Sequence, residues 1–315
     1  MRILLTGSTG FIGSAVAAAL RRRGDEVVPV VRSAPHPGDA VLDLDAGSID
    51  AARVAGGSLE GIDAAVHLAG APIIGRWSAP RREAIRASRI AVGDLLARTL
   101  AGLTTSPAVL VSGSAIGYYG DGGEMELDES SASGVGFLAE VCRAWEASTA
   151  PAREAGIRTT LLRTGIVLGP GGGALSPQLR LFRLGLGGRL GSGQQWESII
   201  SLADEVRVIL RAIDDDSMSG PVNATSPAPL RNSEFTATLA RAVGRSARLP
   251  VPAAALRLAL GAGPANEMLL VSQRVLPRRL LDAGFEFEHP EAGSAVAWAI
   301  GASGAAGARG VGRTR

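Results

Sequence analysis

Lysine is absent from the 315 residues, so all 32 basic side chains are arginine and no step in this protein can use a lysine ammonium. The single cysteine, Cys142, excludes an internal disulfide, and three scattered histidines, His36, His67 and His289, have no metal-ligand spacing, so no metal is expected. Tyrosine occurs only at Tyr118 and Tyr119, which confines any phenol chemistry to that adjacent pair. No apolar run of about 18 residues occurs. The start, Met1-Arg2-Ile3-Leu4-Leu5, passes at once into a glycine turn, so neither a membrane span nor a signal peptide is expected, and the expected address is cytoplasmic. The formal charge is only +2, and the arginines are spread without a basic stripe interleaved with aromatics, so no nucleic-acid partner is expected.

What is present is a chain that is 46% hydrophobic, enough to bury a sizeable core. Short apolar runs at 2–6, 26–31, 64–68, 109–112 and 159–163 alternate with helical patterns, which predicts an α/β protein built on a Rossmann-type, doubly wound parallel sheet. After Gly165 the pattern loosens into glycine-rich stretches before helices resume. The expected domains are 1–165, which would bind nucleotide, and 166–300, a smaller C-terminal α/β substrate lobe, with the chain crossing back near 200–225. Asn232 is a helix N-cap candidate, and 301–315, with almost nothing to bury, reads as a disordered tail.

Directly after the first strand, Gly7, Gly10 and Gly13 stand at G-x-x-G-x-x-G spacing within Thr6-Gly7-Ser8-Thr9-Gly10-Phe11-Ile12-Gly13. The first glycine takes a turn closed to other residues, the second lets backbone N–H groups approach a pyrophosphate, and the third lets the helix pack on the strand. With 42 glycines the spacing alone is weak, and its position between strand and helix is what marks a dinucleotide site. Gly7, Thr9, Gly10, Phe11, Ile12 and Gly13 are the expected phosphate-binding residues. At the end of the second strand, where an acidic residue would accept from the ribose hydroxyls of NAD, stands Arg32, which attracts a 2'-phosphate. NADP(H) is therefore expected in preference to NAD(H); the competing account is an arginine that stacks on adenine or points to solvent.

Further motifs are His67-Leu68-Ala69-Gly70, Arg76-Trp77 followed by Ser88-Arg89, the run from Ser112 to Gly120, Phe137 to Glu146, Leu162-Arg163-Thr164-Gly165, Gly191-Ser192-Gly193-Gln194 and Asn223 to Pro227. With these the chain resembles the extended short-chain dehydrogenase/reductase superfamily, and within it the atypical epimerase-family branch, relatives of the nucleotide-sugar epimerases and dehydratases. The segment 269–287, around Gln273-Arg274-Val275-Leu276-Pro277, is similar to the added C-terminal domain of that branch. The resemblance implies that Leu68, Ala69 and Gly70 border the nicotinamide ribose and that Arg89 and Ser112 belong to the cofactor site. Asp43 is either an adenine contact or solvated surface, and His67 reads as a satisfied core histidine.

Extended members of the superfamily place Tyr and Lys four residues apart on one helix face, where the ammonium assists the phenol. Aligned on Glu146, this chain has Leu138 and Cys142 at those places. If a phenol does acid/base work it is Tyr118 or Tyr119, with Ser114 as partner of the substrate oxygen and Arg143 or Arg163 as a source of charge; otherwise both tyrosines pack in an inert pocket. Cys142 reads as a small buried filler. Arg180, Arg183 and Arg189, around a glycine-rich loop at 185–195, either meet a diphosphate or are solvated.

The function expected is an NADP(H)-dependent oxidoreductase of nucleotide-sugar epimerase or reductase type, acting on a carbonyl or secondary alcohol of a small molecule, a nucleotide sugar among the candidates. The alternative is a non-catalytic NADP(H)-binding sensor or scaffold that has lost the Tyr–Lys pair. The residues are compatible with epimerisation or reduction and with any oligomeric state.

Overall fold

Strand β1 (Arg2–Thr6) carries Ile3, Leu4 and Leu5, all fully buried, so both of its faces need cover. In the computed structural model, which describes residues 1–33 and 35–310 and, of 302–310, the backbone alone, that cover is helical. The chain continues through α1 (Phe11–Arg23), β2 (Glu26–Val31), β3 (Ala40–Asp43), β4 (Ser48–Asp50), β5 (Ala64–His67), α2 (Ala79–Ala101), β6 (Val109–Ala115), α3 (Phe137–Ala147), β7 (Arg158–Thr164) and β8 (Gly220–Ala224). Leu4 joins Val28, Val30, Ala65 and Leu110 in one core with Val92, Leu96 and Leu100 of α2. Strand alternation turns Ile3 and Leu5 to the other face, and α1, which contacts β1 and β2, buries Val16, Ala17 and Leu20.

The eight strands form one sheet in the order β8-β7-β6-β5-β1-β2-β3-β4. Pairing is parallel from β6 through β5 and β1 to β2 and β3, and antiparallel only between β3 and β4 within that part. This is the doubly wound, Rossmann-like α/β fold expected from the alternation. The chain runs outward from β1 through β2 and β3, then returns to the other side of β1 with β5, so the carboxyl ends of β1 and β5 border the crevice where such sheets bind ligands. Register pairs Thr6 with His67 and His67 with Ser112, which lines up three polar side chains at that edge.

Two compact units divide the chain. One comprises Met1–Tyr118, Phe137–Arg163 and Val206–Val222; the other comprises Tyr119–Gly136, Thr164–Glu205 and the chain from Asn223 onward. Residues 119–136, inside the span 1–165 read from sequence as the nucleotide domain, cluster with the second unit because Glu126 and Leu127 pair in parallel with Arg274 and Val275. The second unit has its own core, in which Leu168, Leu175, Phe182, Phe235, Leu239 and Val296 pack together.

Two local expectations change. A helix begins at Asn232, but its carboxamide accepts from Leu190 N at 2.8 Å and donates to Glu197 Oε1 at 2.9 Å; Arg231 takes the N-cap position, its amide bonded by the Glu234 carboxylate at 2.8 Å. The last helix, Ala292–Gly310, runs through 301–310, part of the stretch read as tail, where recurring alanine favours a helix. Residues 311–315 of that expected tail lie outside the described residues. Among the described residues no helix is long and apolar enough to cross a membrane.

Candidate functional site

Gly7 sits at φ 73°, and a Cβ there would fall 2.7 Å from the Leu68 carbonyl group, so only glycine lets the first loop lie against the β5 loop. A Cβ on Gly13 would stand 2.1 Å from Gly7 O, which makes the close pass of α1 over the turn equally dependent on a bare backbone. Gly10 N donates to Gly7 O at 2.9 Å and Ser14 N to Gly10 O at 2.9 Å. Between them, the amides of Phe11, Ile12 and Gly13 have no partner among the described residues, and α1 has no side-chain cap and no acidic residue in its first turn. Three free donors at a positive helix end form an anion cradle.

The cradle opens into a cleft of about 290 Å³ lined by Gly7, Thr9, Gly10, Arg32, Leu68, Ala69 and Gly70, among others. Seven sequence-predicted residues thus meet in one place. Arg32 and Ser33 lie at the β2 end of the cleft, and the exposed Arg32 guanidinium has no protein partner among the described residues. Asp43 does not line the cleft, whereas Leu42 does; Asp43 Oδ1 accepts from the amides of Asp45 and Ala46 and so caps a turn.

Thr6 also lines the cleft, and its Oγ1 accepts from Leu68 N and Ala69 N, both at 3.2 Å, and lies 2.7 Å from His67 Nδ1. With its lone pairs facing two amides, the Thr6 hydroxyl donates to Nδ1, which leaves the hydrogen of His67 on Nε2, 3.4 Å from Arg89 O. Burial pulls His67 down to about 4, so it is a neutral, satisfied core histidine that fixes the β1 and β5 loops. Arg89 donates to Ala71 O at 3.0 Å and Ile85 O at 3.2 Å, and a Cβ on Gly70 would stand 3.0 Å from its Cζ. Burial holds this guanidinium below its ordinary value, and among the described residues no carboxylate pairs with it. Ser112 is fully buried and its Oγ donates to Gly113 O at 3.3 Å.

The three catalytic candidates have different surroundings. Ser114 Oγ, at the end of β6, donates to Glu146 Oε1 at 2.7 Å. Glu146, near the end of α3, receives Arg163 Nε on Oε1 at 2.8 Å and Nη2 on Oε2 at 3.0 Å, a buried two-pronged ion pair. The Arg163 Cζ lies 3.5 Å from the centroid of the half-buried Tyr118 ring. Tyr119 belongs to the second unit, is 3% exposed, and donates its hydroxyl to Asn223 Oδ1 at 2.7 Å. Ser114, Glu146, Arg163 and Tyr118 therefore form one cluster. Leu138 and Cys142 face Gly117, whose Cβ would stand 3.4 and 3.7 Å from their atoms, so the helix face that would hold a Tyr–Lys pair is apolar. Burial pushes the Cys142 thiol up to about 12, consistent with a filler.

Glu146 served in the sequence only as an alignment anchor, and its role went unread. The signal was available: it lies four residues after Cys142 on the buried face of an amphipathic helix, and a buried carboxylate demands a partner.

In the second unit, Gln195 Nε2 donates to Leu190 O and Leu269 O, which anchors the glycine-rich loop. Two buried acids there have no arginine partner among the described residues. Burial pushes Glu205 up to about 8, its Oε1 receiving only Thr164 Oγ1 at 2.8 Å, and Glu197 up to about 7, its Oε1 receiving Asn232 Nδ2.

The model of the NAD dependent epimerase/dehydratase family matches residues 3–224, and that of a domain of unknown function, DUF1731, matches 251–299. An epimerase family protein of Mycobacterium bovis, Mb2239, is 42% identical over 299 residues, 94% of this chain and 97% of that protein. The crystal structure of human epimerase family protein SDR39U1 with NADPH is similar at a TM-score of 0.86 and 34% identity, over 96% of this chain and 99% of that one. That of a nucleoside-diphosphate sugar epimerase from Corynebacterium glutamicum is similar at a TM-score of 0.78 and 36% identity, over 96% of this chain and 58% of that one.

Proposed function

Because the chain belongs to the NAD dependent epimerase/dehydratase family, we propose that it is an NADP(H)-dependent oxidoreductase acting on a carbonyl or secondary alcohol of a small molecule, with a nucleotide sugar as the leading class. The observation that carries the reading is the cradle of free Phe11, Ile12 and Gly13 amides held open by Gly7 and Gly13. A pyrophosphate fits it: the donors are unpartnered, and any side chain at those glycines would fill the approach. Arg32 would hold the 2'-phosphate, which favours NADP(H) over NAD(H); the NADPH in the human SDR39U1 crystal structure supports this. Gly70, backed by Arg89, would border the nicotinamide ribose.

Bound there, the nicotinamide supplies a hydride donor or acceptor. Ser114 gives its hydrogen to Glu146, so its lone pairs remain to accept from a substrate hydroxyl and orient it. Tyr118 would give or take the substrate proton, and Arg163 places over its ring the positive charge that no lysine can supply. Glu146 holds both Ser114 and Arg163 in position.

The second reading, a non-catalytic NADP(H)-binding sensor or scaffold, is favoured by one observation, the apolar Leu138–Cys142 face opposite Gly117. One experiment separates the two: purify the protein, identify its bound nucleotide, and screen carbonyl compounds for NADPH oxidation and secondary alcohols for NADP+ reduction. Turnover on any of them supports the enzyme; nucleotide binding with no turnover supports the sensor, and no nucleotide binding overturns both.

A further inference from the structure

A second cavity of about 290 Å³ lies wholly within the second unit, its wall including Arg189, Ser233, Thr236, Ala240, Arg248 and Pro250. Among the described residues no carboxylate lines it. Among the described residues neither arginine has an acidic partner, and the hydroxyls of Ser233 and Thr236 have no hydrogen-bond partner. Thr236 is only 6% exposed as a residue, but its hydroxyl, with no protein partner, stays open to the solvent of the cavity and is available to a ligand.

The backbone presents these donors together. Ser233 and Thr236 lie one turn apart on the helix Asn232–Ala242, hence on one face. Val251 N donates to Arg189 O and Gly191 N to Val251 O, both at 2.9 Å, which ties the segment bearing Arg189 to the one bearing Arg248 and Pro250. Gly193, at φ 73°, lets the Arg189 stem cross close by: a Cβ there would meet Arg189 Cδ at 3.1 Å and Ser233 Cβ at 3.2 Å. Arg189 Nη1 donates to the Gly191 and Ser192 carbonyls, which aims the guanidinium and leaves its remaining N–H groups for another acceptor.

We propose that this cavity binds the phosphoryl group of a small phosphate ester, with Arg189 and Arg248 as the cations and Ser233 and Thr236 as the neutral donors. Two guanidinium forks and two hydroxyls, with no competing anion, match the tetrahedral acceptor set of a phosphate. The volume lies at the lower end of small-molecule sites, about 300–1,000 Å³, so it suits a compact ester and not a dinucleotide. The proposal is independent of the dinucleotide reading.

The test is calorimetric titration of the full chain, first with NADP+ alone, so that failure of the dinucleotide reading is seen separately, and then of the NADP+-treated protein with glycerol 3-phosphate, inorganic phosphate and glycerol. Expected are one glycerol 3-phosphate site per chain, weaker binding of inorganic phosphate, and no heat with glycerol. Arg248→Met and Thr236→Val are each expected to weaken the ester at least tenfold while NADP+ affinity and the circular dichroism spectrum stay unchanged. No saturable ester binding, or undiminished binding in both variants, overturns the proposal; equal affinity for inorganic phosphate overturns the ester assignment in favour of the free ion.

Discussion

Tyr119 donates its phenolic hydrogen to Asn223 Oδ1 at 2.7 Å, and Asn223 in turn donates from Nδ2 to Leu276 O at 2.9 Å and from its backbone amide to Glu129 Oε1 at 3.0 Å. The phenol is a tie within the second unit's core, while its neighbour Tyr118 stands half-buried under Arg163. Opposite outcomes for two adjacent substitutions follow. Tyr119→Phe strands a buried acceptor and is expected to lower stability by about 1–3 kcal/mol, read by urea denaturation, with kcat within a few-fold of the parent. Tyr118→Phe is expected to lower kcat by about 100-fold or more on an identified substrate. Full turnover in Tyr118→Phe would remove the acid/base role.

Arg32, exposed at the β2 end of the cleft, would carry the 2'-phosphate preference. Arg32→Asp is expected to weaken NADPH by at least about tenfold, the loss of a charge-assisted contact, while NADH affinity holds or improves. Fluorescence titration with both coenzymes checks it, and an unchanged ratio of affinities argues that Arg32 faces solvent.

Gly13→Ala places a methyl 2.1 Å from Gly7 O, so α1 must move off the turn and the three free amides with it. The expected result is loss of NADPH binding by more than about tenfold with the sheet retained, because the core under α2 does not include Gly13. Retained tight binding would show that the anion cradle is not where the pyrophosphate sits.

Buried acids set the pH dependence of stability. Glu205 and Glu197 are raised to about 8 and about 7 from 4.5, so between these values the folded chain keeps protons that the unfolded chain releases, and stability falls as pH rises. His67, lowered from 6.5 to about 4, acts oppositely, its contribution being lost as pH falls below 6.5. The two trends offset below 6.5, and above it only the acids remain. Glu205→Gln, which mimics the protonated acid, is expected to flatten the decline in unfolding free energy between about pH 6.5 and 8 by on the order of 1 kcal/mol per pH unit. An equally steep decline in the variant would show that Glu205 is ionised in the folded chain.

The buried Cys142, with its thiol pushed up to about 12, is expected to resist a disulfide reagent in the native protein and to react once in denaturant. Prompt native labelling would place it at a surface.

The glycine turn between β1 and α1 was legible because everything it needs is local. Strand, bare turn and helix start occupy residues 1–13, and spacing along the chain is spacing in space. The parallel sheet was legible too, since its strands are apolar on both faces and announce themselves without alternation. Arg32 and the Leu68–Gly70 loop followed from the strand ends. Sequence alone could not separate Tyr118 from Tyr119, because one step along a turn sends two identical side chains to different surroundings.

By itself, then, the order of residues settled the fold class and the glycine turn between β1 and α1, and it ruled out lysine chemistry. Tertiary packing alone joined Ser114 to Glu146 across 32 positions and Glu146 to Arg163 across 17, and it brought Arg189 beside Arg248 and Thr236. The reason is physical: backbone geometry is fixed by near neighbours, whereas the partner of a buried charge is chosen by whichever distant element the core presses against it.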